Sequence, residues 1–150
     1  MFDPVIRNLS LHPATIGDLE RLAEMNRQLI EDEKSANPMD LEGLRDRMRR
    51  WLETDYHAVL FRRRDEVIGY ALYRFESETY RARRVVYVRQ FFVERAYRRK
   101  GLGRRAFSQL RGTYFEEAHV RLEVLTANPD GLAFWESLDF EPYAVTMALK

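Results

Sequence analysis

The sequence predicts an α+β protein with a mixed, mostly antiparallel sheet and helices on both faces. Two observations predict this class: strand-like segments follow one another directly in the middle of the chain, and strands alternate with helical patterns after residue 100. The length of 150 residues is enough for one core, so residues 1–150 are expected to form a single domain. No uncharged apolar run is long enough to span a membrane.

Two amphipathic helices are predicted in the first third of the chain, after a short first strand. Thr15 and Asp18 are typical of a helix start, and apolar residues then recur at helical spacing as far as Ile30. Asp40 is expected to cap a second helix, which carries apolar residues on one face over 41–52.

The later elements are predicted from strand composition and helical spacing. Residues 58–61 and 67–73 are rich in β-branched and aromatic residues and flank the polar turn Arg64-Asp65, which indicates a hairpin. The elements that follow are a strand over 85–93, a helix from Gly101, a strand over 120–125, a helix over 128–138 opened by Pro129, and a last strand over 143–149.

Composition and charge exclude several classes of protein. Apolar residues make up 45% and charged residues 33%, which is typical of a globular domain and not of a disordered chain. The chain has no cysteine, and its three histidines show no metal-ligand spacing, so neither thiolate chemistry nor a metal is expected. The N-terminus lacks a secretory pattern, so a cytoplasmic location is expected. The net charge is only +1, but residues 81–105 hold ten arginines or lysines against one acid.

The segment Arg98-Arg99-Lys100-Gly101-Leu102-Gly103 lies between the 85–93 strand and the next helix. Glycines at a helix start let backbone N–H groups approach an anion, because no Cβ is in the way and the helix dipole favours negative charge. The three cations add partners for phosphate oxygens, so the segment predicts a pyrophosphate site. Solvated arginines before an ordinary helix remain an alternative. So does the dinucleotide fingerprint of a nicotinamide-dependent oxidoreductase, although that fingerprint normally follows its strand directly.

These residues resemble the GNAT superfamily of acetyl-CoA-dependent N-acetyltransferases. The family pattern of Gln or Arg, two residues, Gly, one residue, and Gly or Ala is matched by Arg98, Gly101 and Gly103. The segment 134–140 is similar to the family's C-terminal helix, which ends in Gly-Phe, and matches in the family's order run from about residue 9 to residue 140. The resemblance implies a single acetyltransferase domain with about six to seven strands, splayed at the central strands.

The resemblance also implies that acetyl-CoA is the cosubstrate and that an amine attacks its thioester directly. The pantetheine arm would lie in the splay and pair with the backbone of 91–93. The implied coenzyme-binding residues are Phe91, Phe92, Val93, Arg98, Arg99, Lys100, Gly101, Leu102, Gly103, Arg104, Asn128 and Trp135. Trp135 has two interpretations, either a core residue or a wall against the coenzyme.

The chain departs from the family at both positions that transfer protons. Tyr87 and Arg89 stand where many members carry a glutamate, and Trp135 stands where many carry the tyrosine that protonates the thiolate. The substitutes that the chain offers are Glu33 or Glu123 as base and Tyr87 or Tyr143 as acid. Catalysis by positioning and polarisation alone is the alternative.

The acceptor is predicted only as a class, a small-molecule or peptide amine. The loop after the first helix opens with Glu31-Asp32-Glu33, and three acids at a helix C-terminus oppose the helix dipole. They predict either a cationic acceptor or pairing with the arginines of 81–105. A non-catalytic acyl-CoA sensor and a nucleic-acid-binding module are the rival classes, and the near-zero net charge argues against the second. A homodimer, common in the family, is a further alternative.

Overall fold

The computed structural model describes residues 7–78, 81 and 83–150 of the chain. The first six residues, where a secretory signal would begin, lie outside this part. The described residues form five strands, β1 to β5, at Leu9–Pro13, His57–Arg63, Glu66–Ser77, Arg84–Val93 and His119–Leu122. They also form four α-helices, α1 to α4, at Leu19–Asp32, Leu41–Leu52, Leu102–Thr113 and Pro129–Ser137. No helix in the described ranges is long and apolar enough to cross a lipid bilayer.

The first two helices begin where the sequence indicates. The Asp18 carboxylate accepts from the Thr15 backbone N–H at 2.8 Å, and a short 3₁₀ turn over Ile16–Asp18 leads into α1. Asp40 caps α2 by accepting from the N–H of Gly43, also at 2.8 Å. Both bonds satisfy N–H groups that would lack partners at the start of a helix, which is why the capping residues located both starts.

The strands form one sheet whose spatial order follows the chain, β1-β2-β3-β4-β5. The first four are antiparallel to their neighbours, whereas β5 lies parallel to β4. The tight turn at Arg64-Asp65 makes β2 and β3 antiparallel, while the crossover through α3 makes β5 parallel to β4. The predicted mixed, mostly antiparallel sheet is therefore confirmed.

Helices cover both faces of the sheet, as predicted. On one face, Leu22 of α1 and Met48 of α2 pack with Phe92 and other strand residues. On the other face, Phe107 of α3 belongs to a second buried cluster together with Trp135 of α4. Because β4 contributes to both clusters, its backbone is fixed from both sides.

The central strands separate at a β-bulge. β4 and β5 pair from Val85 with His119 to Val88 with Leu122, and β4 then continues to Val93 beyond the end of β5. The register of β3 on β4 shifts between Leu72 and Tyr73, so that Arg89 is the extra residue of the bulge. A bulge bends its strand and redirects the side chains beside it. The splay that the sequence resemblance implies is therefore present.

Two strand predictions need correction, and the described sheet has five strands, not six to seven. The strand predicted over 120–125 ends at Leu122, and residues 143–149 form no strand although their apolar side chains alternate. An alternating pattern fixes which side chains share a face, but a strand forms only where a neighbour supplies backbone partners. In this chain, residues 141–150 are exposed and belong to no strand of the described sheet.

Candidate functional site

The glycine loop, residues 94–101, connects β4 to α3 and leaves backbone N–H groups at the start of that helix without partners from the described residues. Gly101 is the N-cap with φ of 79°, and Arg99 also has a left-handed φ of 61°. The N–H of Arg105 is the first to bond within the helix, to the carbonyl of Gly101 at 3.1 Å. In the described part of the chain, no side-chain cap bond is made to the N–H groups before it. With the positive end of the helix dipole, these groups can bind an anion.

The cations of the loop divide into two groups. Arg99 and Lys100 are exposed, and neither forms an ion pair with a described residue. Arg98 instead bonds to other residues of the protein: its Nε donates to the carbonyl of Val93 at 2.7 Å, and its Nη2 pairs with Asp32. Arg99 and Lys100 are therefore open to a ligand, whereas Arg98 holds the loop in place.

The acidic run at the end of α1 is part of the same anchor. Arg95 pairs with Asp32 at 2.7 Å and with Glu31 at 3.4 Å. Asp32 also pairs with Arg98. The sequence predicts that these acids bind either a cationic acceptor or the arginines of 81–105. For Glu31 and Asp32 the structure shows the second, pairing with arginines. Only Glu33 of the three has no such pair among the described residues.

The other predicted coenzyme residues of α3 have partners within the protein. A Cβ on Gly103 would lie 3.0 Å from the ring of Phe134, so this glycine lets α3 and α4 approach closely. The Nη2 of Arg104 donates to the carbonyl of Ser137 at 2.7 Å, and Leu102 is buried in the core. These residues build the scaffold that supports the loop.

The predicted coenzyme residues of α4 also have structural partners. Asn128 caps α4, since its Oδ1 accepts from the N–H of Gly131 at 3.0 Å. Trp135 is buried, and its rings contact a cluster of phenylalanines at 91, 107, 134 and 140. The structure thus places Trp135 in the core, one of its two predicted interpretations.

The end of β4 offers an open backbone edge beside the loop. Beyond Val88, no described residue pairs with this strand on the β5 side. Phe92 is buried under α1 and α2, while the ring of Phe91 stacks on Phe134 at 5.8 Å between centroids. The carbonyl of Val93 already accepts from Arg98. Backbone around Phe91 and Phe92 can therefore pair with an extended ligand as a strand would.

Two candidate catalytic residues meet at the mouth of the splay. Tyr87 lies on β4 just before the bulge, and its hydroxyl donates to Glu123, which follows the last residue of β5, at 3.2 Å. Burial, and then the charge of Glu123, raise the pKa of Tyr87 to about 12. The hydroxyl therefore stays protonated at neutral pH and can donate a proton. Tyr143 lies apart in sequence, in the exposed C-terminal segment.

Glu33 is a half-buried carboxylate at the C-terminal end of α1. Burial, and then the neighbouring charge of Asp32, raise its pKa above the ordinary 4.5. Burial, and then the charge of Glu33, raise the pKa of Tyr70, whose hydroxyl donates to Gln90 at 2.8 Å. Because Gln90 directly follows the bulge, Glu33 belongs to the same end of β4. A raised pKa brings a carboxylate closer to the range of a useful general base.

A group of arginines and aromatic rings beside α2 and the bulge of β4 was not predicted from the sequence. The Cζ atoms of Arg47 and Arg89 lie 4.4 Å and 4.8 Å from the ring centroid of Trp51. Arg89 Nη1 also donates to the hydroxyl of Tyr56 at 3.3 Å. Helical spacing could have joined Arg47 to Trp51, four residues away, but Arg89 joins them through a bulge that no sequence pattern indicates.

Comparison with known proteins identifies the family. The Acetyltransferase (GNAT) family pattern matches residues 21–140, well over half of the chain. No curated protein is significantly similar. A possible acetyltransferase from Clostridium difficile 630 has the same fold, with a TM-score of 0.79, 20% identity and coverage of 95% of this chain and 96% of that one.

Two further solved structures are similar in fold. One is an aminoglycoside acetyltransferase, meta-AAC0020, from an uncultured soil metagenomic sample in complex with sisomicin (TM-score 0.73, 16% identity, 97% and 98% covered). The other is a predicted acetyltransferase with acetyl-CoA from Clostridium acetobutylicum (TM-score 0.75, 15% identity, 95% and 96% covered). Because the family match covers most of the chain and includes the loop and the splay, the chain belongs to the GNAT family of acetyltransferases.

Proposed function

We propose that this protein transfers an acetyl group from acetyl-CoA to a primary amine by direct attack of the amine on the thioester. The observation that carries the proposal is the open edge of β4 leading into the uncapped glycine loop. One extended molecule, with a pyrophosphate at one end and a thioester at the other, can bind in the loop and along the strand edge at the same time. The solved relative from Clostridium acetobutylicum is described with acetyl-CoA, which supports this cosubstrate.

The loop and the strand are proposed to bind different parts of the coenzyme. The N–H groups of Leu102 and Gly103 at the start of α3, with Arg99 and Lys100, would contact the pyrophosphate. The pantetheine arm would pair with backbone near Phe91 and Phe92 in the splay. Residues 98, 104, 128 and 135 would support these groups through the contacts described above, within one domain over residues 1–150.

The reaction moves three protons: the ammonium loses one before attack, the attacking nitrogen loses a second, and the leaving thiolate gains one. An alkylammonium has a pKa of about 10.4, so its neutral form costs about 4.6 kcal/mol at pH 7. We propose Glu33 as the base that takes this proton. As the nitrogen bonds to the acetyl carbonyl carbon, the carbon–sulfur bond breaks and the nitrogen loses its second proton to solvent. The coenzyme thiolate takes a proton from Tyr87, which Glu123 positions and which is reprotonated from solvent.

The assembly proposed is a homodimer joined through the C-terminal segments. Val145, Met147 and Leu149 expose 81%, 85% and 102% of their surface, and β5 is an edge strand of the sheet. An exposed strand edge and a segment with exposed apolar side chains are complementary, so the segment of one copy can add to the sheet of another. A cytoplasmic location stays a prediction.

The rival classes are distinguished by charge and by turnover. Arg83, Arg84, Arg95 and Arg98 are all paired with carboxylates, which argues against a continuous cationic surface for nucleic acid. A coenzyme-binding sensor would bind acetyl-CoA but release no thiol with any amine.

The first test is a calorimetric titration with acetyl-CoA. We expect micromolar binding that is lost in Gly101→Asp, whose carboxylate would repel the pyrophosphate and whose Cβ would strain the left-handed backbone. Gly112→Asp is the matched control, because nothing lies within 4 Å of a Cβ at that position of the same helix. Binding that survives in folded Gly101→Asp, or is absent from the wild type, would contradict the proposed coenzyme site.

Turnover is tested by thiol release with a panel of amines. Release with at least one amine supports transfer, and Tyr87→Phe should then lower kcat by about 10-fold or more while acetyl-CoA affinity is retained, as expected for loss of a general acid. Binding without release across the panel would favour the sensor.

A further inference from the structure

Two arginines from separate elements converge on one tryptophan beside the start of the splay. Arg47 and Trp51 lie on α2, and Arg89 is the bulge residue of β4. Each guanidinium lies within 5 Å of the indole centroid. Two like charges gathered this closely repel each other unless an anion lies between them or solvent screens them.

No carboxylate of the described residues forms an ion pair with either arginine. Arg47 Nη2 donates to Asn26 Oδ1 at 3.2 Å, and Arg89 Nη1 donates to Tyr56, so both partners are neutral. Arg95 and Arg98, by contrast, are paired with Asp32. Burial, and then the charge of Arg89, lower the pKa of Arg47, although a guanidinium remains charged at neutral pH.

Donors without acceptors accompany these charges. Asn26 is fully buried, at 0% exposure, and its Nδ2 has no hydrogen-bond partner among the residues that the structure describes. The buried Nε of Arg47 has none either. A buried donor without an acceptor costs free energy, and a carboxylate, with two oxygens that only accept, is the complementary group.

The position of the arginines ties them to the reaction. Arg89 is the first residue of β4 beyond the last pair with β5, where the splay begins. The bulge places Arg89 and the next residue, Gln90, against tyrosines of the same core cluster, Tyr56 and Tyr70. A group bound by Arg89 would therefore lie beside the open strand edge where the thioester is proposed to bind.

We propose that Arg47 and Arg89, on the surface of Trp51, bind a carboxylate carried by the acceptor, so that the acceptor is an amino acid or a similar small amine with a carboxylate. This inference rests on the proposed function, because it names the class of amine that the transfer would use. Glu33 supplies a negative charge near the two arginines, since the charges of Glu33 and Arg47 both act on Tyr70. The amine end of the acceptor would lie toward Glu33 and its carboxylate toward the arginines.

The same charges disfavour polycationic acceptors. The relative meta-AAC0020 was solved with sisomicin, an aminoglycoside, but here the acids that could attract such a molecule, Glu31 and Asp32, are paired with arginines. Arg47 and Arg89 would repel a polycation. The acceptor class proposed here is therefore different from the one bound by that relative.

The test is a comparison of matched acceptors. Thiol release from acetyl-CoA is measured with L-amino acids, with their carboxamides, and with sisomicin. A carboxamide has the less basic amine, so its uncharged form is more abundant and chemistry alone favours it. We expect the reverse order, with kcat/KM higher for the acids by about 10-fold or more, because charge-assisted hydrogen bonds distinguish the carboxylate.

Substitutions then assign the preference to the two arginines. Arg47→Met and Arg89→Met keep much of the apolar stem and remove the charge. Each should raise KM for the acids by about 10- to 100-fold and bring the acid-to-amide ratio close to one, with acetyl-CoA affinity unchanged. Arg111→Met, at an exposed arginine of α3 on the other face of the sheet, is the control and should change neither.

A binding arm separates this inference from the proposed function. Tryptophan fluorescence is titrated with N-acetyl amino acids and with their amides in the presence of CoA. Acids that bind more tightly, through Arg47 and Arg89, support the carboxylate site even if no amine releases thiol, a result that would overturn only the proposed transfer. The inference is overturned if amides or sisomicin equal the acids, or if neither arginine variant changes the preference.

Discussion

At the scale of single residues, Glu33 is costly to the fold and useful to the proposed reaction. Its pKa is raised above 4.5, first by burial and then by Asp32, so the folded protein holds this proton more tightly than the unfolded chain does. Stability contributed by the protonated carboxyl is complete below pH 4.5 and is lost as the pH rises through the raised value. At neutral pH the ionised carboxylate therefore weakens the fold.

Glu33→Gln should accordingly have opposite effects on stability and activity. We expect a higher free energy of unfolding than wild type at pH 7, and a difference that shrinks toward pH 4, in urea denaturation at both values. kcat/KM should fall by about 100-fold, typical of a lost general base, and the acidic limb of its pH profile should disappear.

The control is Glu42→Gln, at an exposed acid in the first turn of α2. There the carboxylate favours the helix dipole, so its loss should destabilise slightly and leave turnover unchanged. A Glu33→Gln protein with unchanged turnover, or one less stable than wild type at pH 7, would remove Glu33 from the proton transfer.

At the scale of the elements, the splay depends on how closely β3 approaches β4. Gly69 lies opposite Val93, and a Cβ added to Gly69 would be 2.3 Å from the carbonyl oxygen of Phe92 and 2.8 Å from the ring of Phe61. The nearer atom belongs to the backbone, so the strand itself would have to shift. Because the coenzyme is proposed to pair with this stretch of β4, the shift would affect binding as well as stability.

Gly69→Ala should therefore lower stability by about 1–3 kcal/mol, as overpacking does, and weaken acetyl-CoA binding in calorimetry. Gly112→Ala is the matched substitution, since nothing lies within 4 Å of its Cβ and alanine favours the helix. It should leave binding unchanged and raise stability by up to about 1 kcal/mol. Equal effects of the two substitutions would show that the close approach has no particular importance.

The individual helices and strands show what local sequence patterns can predict. Helix starts at Thr15 and Asp40 and the hairpin at Arg64-Asp65 were predicted correctly, because capping and turn chemistry act within a few residues. The family resemblance implied a splay at a bulge, but the residue at which the bulge falls, Arg89, was not predicted, since it depends on the register between two strands. The arginine and tryptophan group was missed for the same reason. Glu33 and Tyr87 were named from composition and position, but their surroundings emerge only from tertiary packing.

At the scale of the whole molecule, the C-terminal segment is where the sequence pattern and the structure of one chain disagree. The alternation over 143–149 is typical of a strand, yet in a single copy these residues form no strand of the described sheet. Local pattern cannot say whether the partner strand belongs to the same chain. The proposed dimer resolves the disagreement by placing that partner, β5, in a second copy.

The area involved is large enough for a stable dimer. A large apolar side chain buries roughly 100 Å². If Val145, Met147 and Leu149 of both copies are covered by matching surface, the interface totals on the order of 1,200 Å², within the range of specific complexes.

We expect a dimer in sedimentation at micromolar concentration, and Met147→Glu should shift it to monomer by placing a charge in the interface. Thr146→Glu carries the same charge on the opposite face of the segment and should remain dimeric. A wild type that sediments as a monomer, or two variants that behave alike, would show that the exposed segment serves another purpose than joining two copies.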